Sequence, residues 1–328
     1  MPSSHQTNKA WRRVTREDPM FIVLNVGSGN NEVAVRIATL RKILEEAGQT
    51  YEILPVDKAH QLFDVTRYAV GLAQQRHGVV VAAGGDGTLN AVARQVLPSG
   101  CPFGVLPHGT FNYFSRAHGI SSDMTEAAQA LLRATLKPVQ VGVVNQQIFL
   151  VNASLGLYAQ VFEDRESYKK RLGRSRVIAL GATILTILRS HRLLTLHLES
   201  EEKIHIIHTP TLVIGNNEIQ LERLGIPDVP ALQQDRLIAI AIGSVGVMGL
   251  LRLVYRSAMG ELGQTADVVS FAFRRLTVNG RFPFRYRRIK AALDGEVTWL
   301  NFPLVFEVAQ TPLWLLAPDS SASQEEDS

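Results

Sequence analysis

The segment Val79-Val-Val-Ala-Ala-Gly-Gly-Asp-Gly-Thr-Leu-Asn90 joins a short apolar run to a glycine-rich turn. The apolar run has the length of a buried strand, and the spacing of apolar residues over 89–97 predicts a helix. Glycines let a backbone approach a ligand closely, and a helix N-terminus presents N–H groups that suit phosphate. The segment indicates either a phosphate-binding turn or a plain strand-to-helix turn in which Asp86 or Thr88 is the N-cap of the helix.

Two further polar turns follow predicted strands. Asn25-Val-Gly-Ser-Gly29 follows the apolar run 21–24, and Leu106-Pro-His-Gly-Thr-Phe-Asn112 follows the run that begins at Phe103. Segments of helical spacing lie between the runs, and this alternation predicts a parallel α/β sheet. Because parallel strands end at one edge, where ligands bind, the three turns favour a nucleotide pocket. No Walker A motif occurs, and no Gly-x-Gly-x-x-Gly follows the first strand.

The composition of the 328 residues is that of a globular protein of about two domains, with 46% hydrophobic and 20% charged residues. The one cysteine, Cys101, excludes a disulfide scaffold and a cysteine-based zinc site, and it predicts a reducing, cytoplasmic location. The last ten residues hold four acids and no base, so the net charge of +4 becomes +8 without them. The positive charge of the remaining residues is compatible with an anionic partner, which could be a nucleotide, a nucleic acid or a lipid surface.

The pattern of predicted secondary structure changes after Lys137-Pro138. Strand-like runs dominate from there, with helical segments only near 175–189 and 246–259, and this predicts a largely antiparallel β domain. The apolar stretches 177–188 and 237–251 are shorter than the roughly 20 residues of a membrane span, so we interpret them as buried core elements. The first twenty residues lack the apolar run of a signal peptide.

Three motifs in this order resemble the diacylglycerol kinase catalytic superfamily, in particular soluble bacterial lipid kinases of the diacylglycerol kinase B and YegS type. They are Gly84-Gly-Asp-Gly-Thr88, Pro107-His-Gly-Thr-Phe-Asn112 with Phe114 and Arg116, and Asp294-Gly-Glu296. Weaker agreements include Asn152-Ala-Ser-Leu-Gly156 and Gly215-Asn-Asn217. Gly-Gly-Asp-Gly alone also occurs in NAD kinases and phosphofructokinases, so the ordered combination carries the resemblance.

The resemblance implies an N-terminal Rossmann-like, NAD kinase-like α/β domain and a C-terminal β-sandwich domain, with the active site in the cleft between them. The implied nucleotide-binding domain comprises 19–143 and 310–318, because the last strand returns to it. Residues 144–309 form the lipid-substrate domain. We expect the polar ends, 1–18 and the acidic 319–328, to be flexible.

The resemblance also implies ATP as co-substrate and Mg²⁺ as its metal. The implied ATP-binding residues are Asn25, Ser28, Gly84, Gly85, Asp86, Gly87, Thr88, Gly109, Thr110 and Asn112. Asp86 repels phosphate directly, and a Mg²⁺ ion between them removes that repulsion. Some relatives have a structural metal in an Asp-Gly-x-Leu loop of the second domain, so the resemblance implies a metal at Asp235. The loop departs from that pattern here, because it reads Asp235-Arg-Leu237.

The same resemblance makes Asp294 the general base on a lipid hydroxyl, with Glu296 orienting it or binding metal and Asp86 assisting. The alternative for Asp294-Gly-Glu296 is a simple hairpin turn, which Asp-Gly favours. Val26 replaces a common proline and Tyr113 replaces a common acid of the family. The other hypotheses are an NAD-kinase-like kinase of a soluble nucleotide and a catalytically silent nucleotide- or lipid-binding regulator, which only Tyr113 supports.

Two basic clusters bear on partners. Residues 274–290 hold seven bases and no acid, with Phe282, Phe284 and Tyr286 among them, and 165–176 hold six bases against Glu166. Three interpretations of these clusters are open. The basic residues could be outward-facing residues of strands without a binding role, they could bind RNA, or they could contact anionic lipid. For a lipid kinase we favour reversible, anionic-lipid-dependent peripheral membrane binding and expect no nucleic acid partner. A homodimer stays open.

Overall fold

The computed structural model describes residues 15–26, 30–109, 111–160, 193–200, 204–280 and 288–318. The chain divides into two compact units, one of residues 1–140 and 310–328 and the other of 141–309. The first break lies close to the boundary predicted at residue 143. Residues 15–18, the described part of the predicted N-terminal tail, form a hydrogen-bonded turn in which Asp18 accepts from Thr15 N and Oγ1.

The first unit alternates strands and helices through most of its described length. They are β1 (Met20–Asn25), α1 (Asn30–Glu46), β2 (Tyr51–Val56), α2 (Leu62–Arg76), β3 (Val79–Gly84), α3 (Asp86–Ser99), β4 (Phe103–Pro107), α4 (Tyr113–Ala117), α5 (Met124–Leu131) and β5 (Thr135–Val139).

The second unit is rich in strands. Its elements are β6 (Gly142–Val144), β7 (Gln147–Phe149), β8 (Asn152–Gly156), β9 (Leu194–Ser200), β10 (Ile204–Thr209), β11 (Thr211–Gly215), α6 (Glu218–Arg223), β12 (Leu237–Ile242), α7 (Val247–Ala258), β13 (Val268–Phe273), β14 (Arg275–Gly280), β15 (Arg288–Leu293), β16 (Glu296–Asn301) and β17 (Leu304–Val308). The chain then returns to the first unit as β18 (Leu313–Ala317). Short 3₁₀ turns occupy Ala59–Gln61, Val229–Gln234 and Leu262–Gln264.

The sheet of the first unit has the order β2-β1-β3-β4-β18-β5. Strands β1 to β4 pair in parallel, which confirms the prediction from the alternating pattern, and only β5 pairs antiparallel, with β18. Strands β3 and β4 are buried along their whole length, as expected for a parallel sheet. The strand order reverses between β1 and β3, and ligands of open α/β sheets bind at the carboxyl ends beside such a reversal.

The second unit contains two six-stranded antiparallel sheets, ordered β10-β9-β14-β17-β6-β7 and β13-β12-β11-β8-β15-β16. Their inner faces share one hydrophobic core, with Leu198 and Phe306 from the first sheet and Leu155 and Leu293 from the second. The antiparallel β-rich region is therefore as predicted. The predicted helix near 246–259 is α7, and the one near 175–189 lies outside the described residues.

Candidate functional site

The three predicted turns meet at the carboxyl edge of the parallel sheet. Asn25 Nδ2 donates a hydrogen bond of 2.8 Å to Thr88 Oγ1, which joins the first turn to the second. The backbone N–H of His108 donates to Gly84 O at 3.1 Å, and His108 Nε2 lies 3.2 Å from Asn25 O. His108 thus ties the third turn to both others. Burial lowers the pKa of this histidine, so the neutral ring is favoured.

Glycines are required here because the turns pack backbone against backbone. A Cβ atom at Gly109 would lie 2.7 Å from Gly85 Cα and 2.7 Å from Asn112 Oδ1. A Cβ atom at Gly84 would lie 2.5 Å from Thr88 Cβ. These distances are shorter than van der Waals contact, so only glycine allows the second and third turns to approach this closely.

We expect Gly109→Ala to push the two turns apart, which lowers the free energy of unfolding by about 1–3 kcal/mol. It should also lower, at least tenfold, the affinity for the ATP that the resemblance implies as co-substrate. Urea denaturation and isothermal titration with ATP measure the two effects. The matched control is Gly71→Ala in α2, where a Cβ atom meets nothing within 4 Å, so ATP affinity stays unchanged. Wild-type ATP affinity in Gly109→Ala would show that the close approach is unimportant.

Asp86 joins the second turn to the start of α4. Its Oδ2 accepts from Tyr113 N and its Oδ1 from Phe114 N, each at 3.3 Å. Burial raises the pKa of this carboxyl, and these backbone hydrogen bonds oppose the rise. The backbone N–H of Asn112 also contributes to this effect on the pKa of Asp86. A carboxylate has about four acceptor positions, so these hydrogen bonds are compatible with the metal role that the resemblance implies for Asp86.

Asn112 and its aromatic neighbours complete the third turn. Asn112 is buried, has a φ of 50° and accepts from Gly109 N at 2.9 Å through Oδ1. Asparagine tolerates this left-handed conformation better than most residues. Phe111 is 52% exposed and stacks on Tyr113 with ring centroids 5.7 Å apart, a surface that the sequence analysis missed. Two predicted ATP ligands, Ser28 and Thr110, lie outside the described residues.

The predicted hairpin at Asp294 is present in the second unit. Leu293 pairs with Glu296, and Asp294 and Gly295 between them have φ values of 50° and 89°. Two central residues with positive φ form the turn type that Asp-Gly favours. Glu296 begins β16 with an exposed side chain.

The Asp294 carboxylate is bound by three consecutive backbone amides. Oδ2 accepts from Leu150 N at 2.7 Å, and Oδ1 accepts from Val151 N at 2.8 Å and Asn152 N at 2.9 Å. The Asp294 N–H donates back to Asn152 O at 2.9 Å. The hairpin turn is therefore anchored to the connection between β7 and β8, and both carboxylate oxygens of Asp294 take part in the anchor.

The weaker motifs of the second unit surround this anchor. Asn216 donates to Val151 O through its backbone N–H and to Leu150 O through Nδ2. Asn152 Nδ2 donates to Gln220 Oε1 at 2.9 Å. Gln220 and the amides of 150–152 were missed by the sequence analysis, because a backbone N–H has no signature in the sequence.

The predicted metal residue Asp235 ends a 3₁₀ turn with a φ of 56°. In the part of the chain that the structure describes, no group of three or more His, Cys, Asp or Glu side chains could hold a metal ion. The metal roles of Asp86 and Asp235 stay predictions. The described helices include none long and apolar enough to cross a bilayer.

Comparisons with known proteins agree with the motifs. Residues 19–144 match the family model of the diacylglycerol kinase catalytic domain. A diacylglycerol kinase of Bacillus subtilis is 31% identical over 172 residues, which are 51% of this chain and 56% of that protein. The "probable lipid kinase YegS-like" of Pseudomonas aeruginosa is 35% identical over 172 residues, 51% of this chain and 54% of that protein. The chain thus spans about half the length of these relatives.

A solved structure of a diacylglycerol kinase from Bacillus anthracis has the same fold. It superposes with a TM-score of 0.67 at 18% identity, over 93% of this chain and 98% of that chain. The resemblance drawn from the three motifs is confirmed by these matches, and so is a two-domain fold with an α/β unit and a β-rich unit.

Proposed function

We propose that this protein is an ATP-dependent kinase that phosphorylates a hydroxyl group of a diacylglycerol-like or sphingoid-like lipid. The observation that carries the proposal is the convergence of the three polar turns at the strand-order reversal, within the residues that match the diacylglycerol kinase catalytic domain. The anchored Asp294 hairpin supplies the carboxylates that the reaction needs.

The nucleotide phosphates would lie on the amides of the second and third turns, at the N-terminus of α3. This terminus presents N–H groups and a partial positive charge to an anion. The contact between Asn25 and Thr88 fixes two polar side chains beside it. A Mg²⁺ ion shared by Asp86 and the phosphates would neutralise charge there.

These contacts lead us to assign different roles to Asp294 and Glu296 than the resemblance implied. Three backbone amides donate to the two carboxylate oxygens of Asp294, so this carboxylate already serves to hold the turn. We assign Asp294 to positioning the turn and Glu296, which is exposed, to general base catalysis. In the reaction the lipid hydroxyl oxygen bonds to the γ-phosphorus, the bond to the β-phosphate oxygen breaks, ADP leaves, and Glu296 takes the hydroxyl proton.

The predicted cleft between the two domains and the cytoplasmic location stay predictions. Tyr113, which replaces the acid that the resemblance makes common at this position, donates its backbone N–H to Asp86 and stacks on Phe111. These contacts are independent of a carboxylate at position 113, so they are compatible with an active enzyme.

Incubation with ATP and a broad lipid extract, followed by mass spectrometry, tests the proposal. We expect at least one lipid to gain the mass of one phosphate and ADP to form in equal amount. ADP formation only with NAD or another soluble nucleotide would favour the nucleotide kinase instead. ATP binding without turnover on any lipid would favour the silent regulator.

A further inference from the structure

Helix α7 presents large apolar side chains to solvent along one line. Met248 is 79% exposed, Tyr255 67% and Met259, which follows the helix, 60%. Residues four and three positions apart share a helix face, so Arg252, also exposed, lies in the same line. We call Met248, Arg252, Tyr255 and Met259 the α7 stripe.

The core-facing side of the helix is already packed. Leu250 and Leu253 are buried, and Leu250 belongs to a cluster with Leu157, against which Ile242 and Val245 also pack. The α7 stripe is therefore a second apolar face, in addition to the face that holds the helix on its unit. Single exposed apolar residues are common on protein surfaces, but an aligned set on one helix indicates a binding surface. The sequence analysis had interpreted the stretch through Leu251 as buried core.

The charge on this helix selects the kind of partner. Residues 247–258 contain Arg252 and Arg256 and no acid. Arg256 approaches Glu261, beyond the helix, at 3.7 Å, whereas Arg252 stands within the stripe itself. In a protein groove an arginine among apolar side chains would need an acidic partner. At a bilayer its stem can lie among acyl chains while its charge reaches anionic headgroups.

We propose that the α7 stripe docks this protein on an anionic bilayer surface, with Met248, Tyr255 and Met259 inserted at the level of the headgroups. The inference rests on the proposed function, because a kinase of long-chain lipids meets its substrate in a membrane. The proposed membrane-binding surface differs from the one expected from the sequence, which comprised the basic clusters 165–176 and 274–290. The first of these clusters lies outside the described residues, and the second is described only in part.

The second cluster offers a rival surface. In its described part, Arg288 and Lys290 lie over the ring of Trp299, at 4.7 Å and 5.4 Å from its centroid. Trp299 is 50% exposed. Its two cations already contact its ring, whereas the α7 stripe places three apolar side chains beside one exposed arginine, which is the better arrangement for insertion.

Cosedimentation of the full chain with vesicles tests the docking proposal without ATP or turnover. The vesicles contain phosphatidylcholine with or without phosphatidylglycerol. We expect the triple variant Met248→Ser, Tyr255→Ser, Met259→Ser to bind anionic vesicles at least tenfold more weakly than wild type. Arg252→Gln should weaken this binding about fivefold and leave binding to neutral vesicles unchanged.

The control is Ile206→Ser, which removes a similarly exposed apolar side chain from β10 and should bind as wild type. Thermal melting confirms that each variant is folded. Unchanged vesicle binding in the triple variant would overturn the proposal, as would loss of binding in Trp299→Ser alone. If the triple variant instead abolishes self-association in analytical ultracentrifugation, the occupant of the stripe is a second copy of the chain.

Activity on a water-soluble short-chain diacylglycerol separates this proposal from the proposed function. We expect the triple variant to retain wild-type activity on that substrate, because the stripe contributes only membrane contact. Vesicle binding by a wild-type protein that phosphorylates no lipid would overturn the kinase and leave the docking surface standing.

Discussion

Glu296→Gln is expected to lower kcat for lipid phosphorylation by about 10²–10⁴-fold, the usual contribution of a general base. Glutamine keeps the shape of the side chain but cannot accept the hydroxyl proton. Since Glu296 is exposed at the start of β16, we expect the free energy of unfolding to change by less than about 0.5 kcal/mol. Steady-state kinetics and urea denaturation measure the two quantities.

The matched control is Glu307→Gln in β17, which makes the same change in the same unit. Glu307 forms a surface ion pair with Arg275 at 3.1 Å, and such pairs contribute little to stability. We expect its kcat to stay at the wild-type value. A kcat of Glu296→Gln within threefold of wild type would remove Glu296 from the reaction and return the role of base to another group.

Asp294→Ala should lower both stability and activity. Three backbone N–H groups lose their acceptor, and alanine is strained at a φ of 50°. An unsatisfied buried donor costs about 1–3 kcal/mol, so we expect the free energy of unfolding to fall by about 3 kcal/mol or more. Activity should fall at least 10²-fold, because the turn no longer holds Glu296 in place.

Asp294→Asn separates the anchor from a direct chemical role. Asparagine tolerates the positive φ and keeps one acceptor oxygen, which can still serve the amides of Val151 and Asn152. We expect a smaller loss of stability, about 1–2 kcal/mol, with a partial loss of activity. Asp123→Asn is the control, because Asp123 caps α5 through one N–H and asparagine caps a helix equally well.

The ordering of these variants is diagnostic. A positioning role predicts that stability and activity fall together, in the order Asn and then Ala. Full stability in Asp294→Asn with activity lost as completely as in Glu296→Gln would instead make Asp294 the base, as the resemblance first implied.

Local patterns in the sequence were sufficient for much of the fold. The apolar run before Gly84, the helical spacing after it and the similar units around Asn25 and Gly109 predicted parallel strands with polar turns at one edge. These predictions succeeded because strand and helix periodicity are local properties. The Asp294-Gly295 turn was equally readable, since few residue pairs adopt two positive φ values.

Contacts between distant parts of the chain were not readable. The sequence around His108 does not distinguish it from any other residue of the third turn. Only the fold shows that it contacts Asn25 and Gly84. Met248, at the start of α7, lies in the stretch 237–251 that was interpreted as buried core, yet it is exposed. Apolar composition alone does not tell which of two apolar faces meets the core.

By itself, the sequence determined the two-part architecture, the three turns at one sheet edge and the resemblance to the diacylglycerol kinase catalytic domain. Only the tertiary structure decided what the motif residues contact: that Gly109 is required by the backbone of Gly85, and that Asp294 is held by the amides of 150–152. The physical reason is that every residue except proline carries the same backbone N–H. Which of these donors gather around one carboxylate depends on strand pairing between segments more than 140 residues apart.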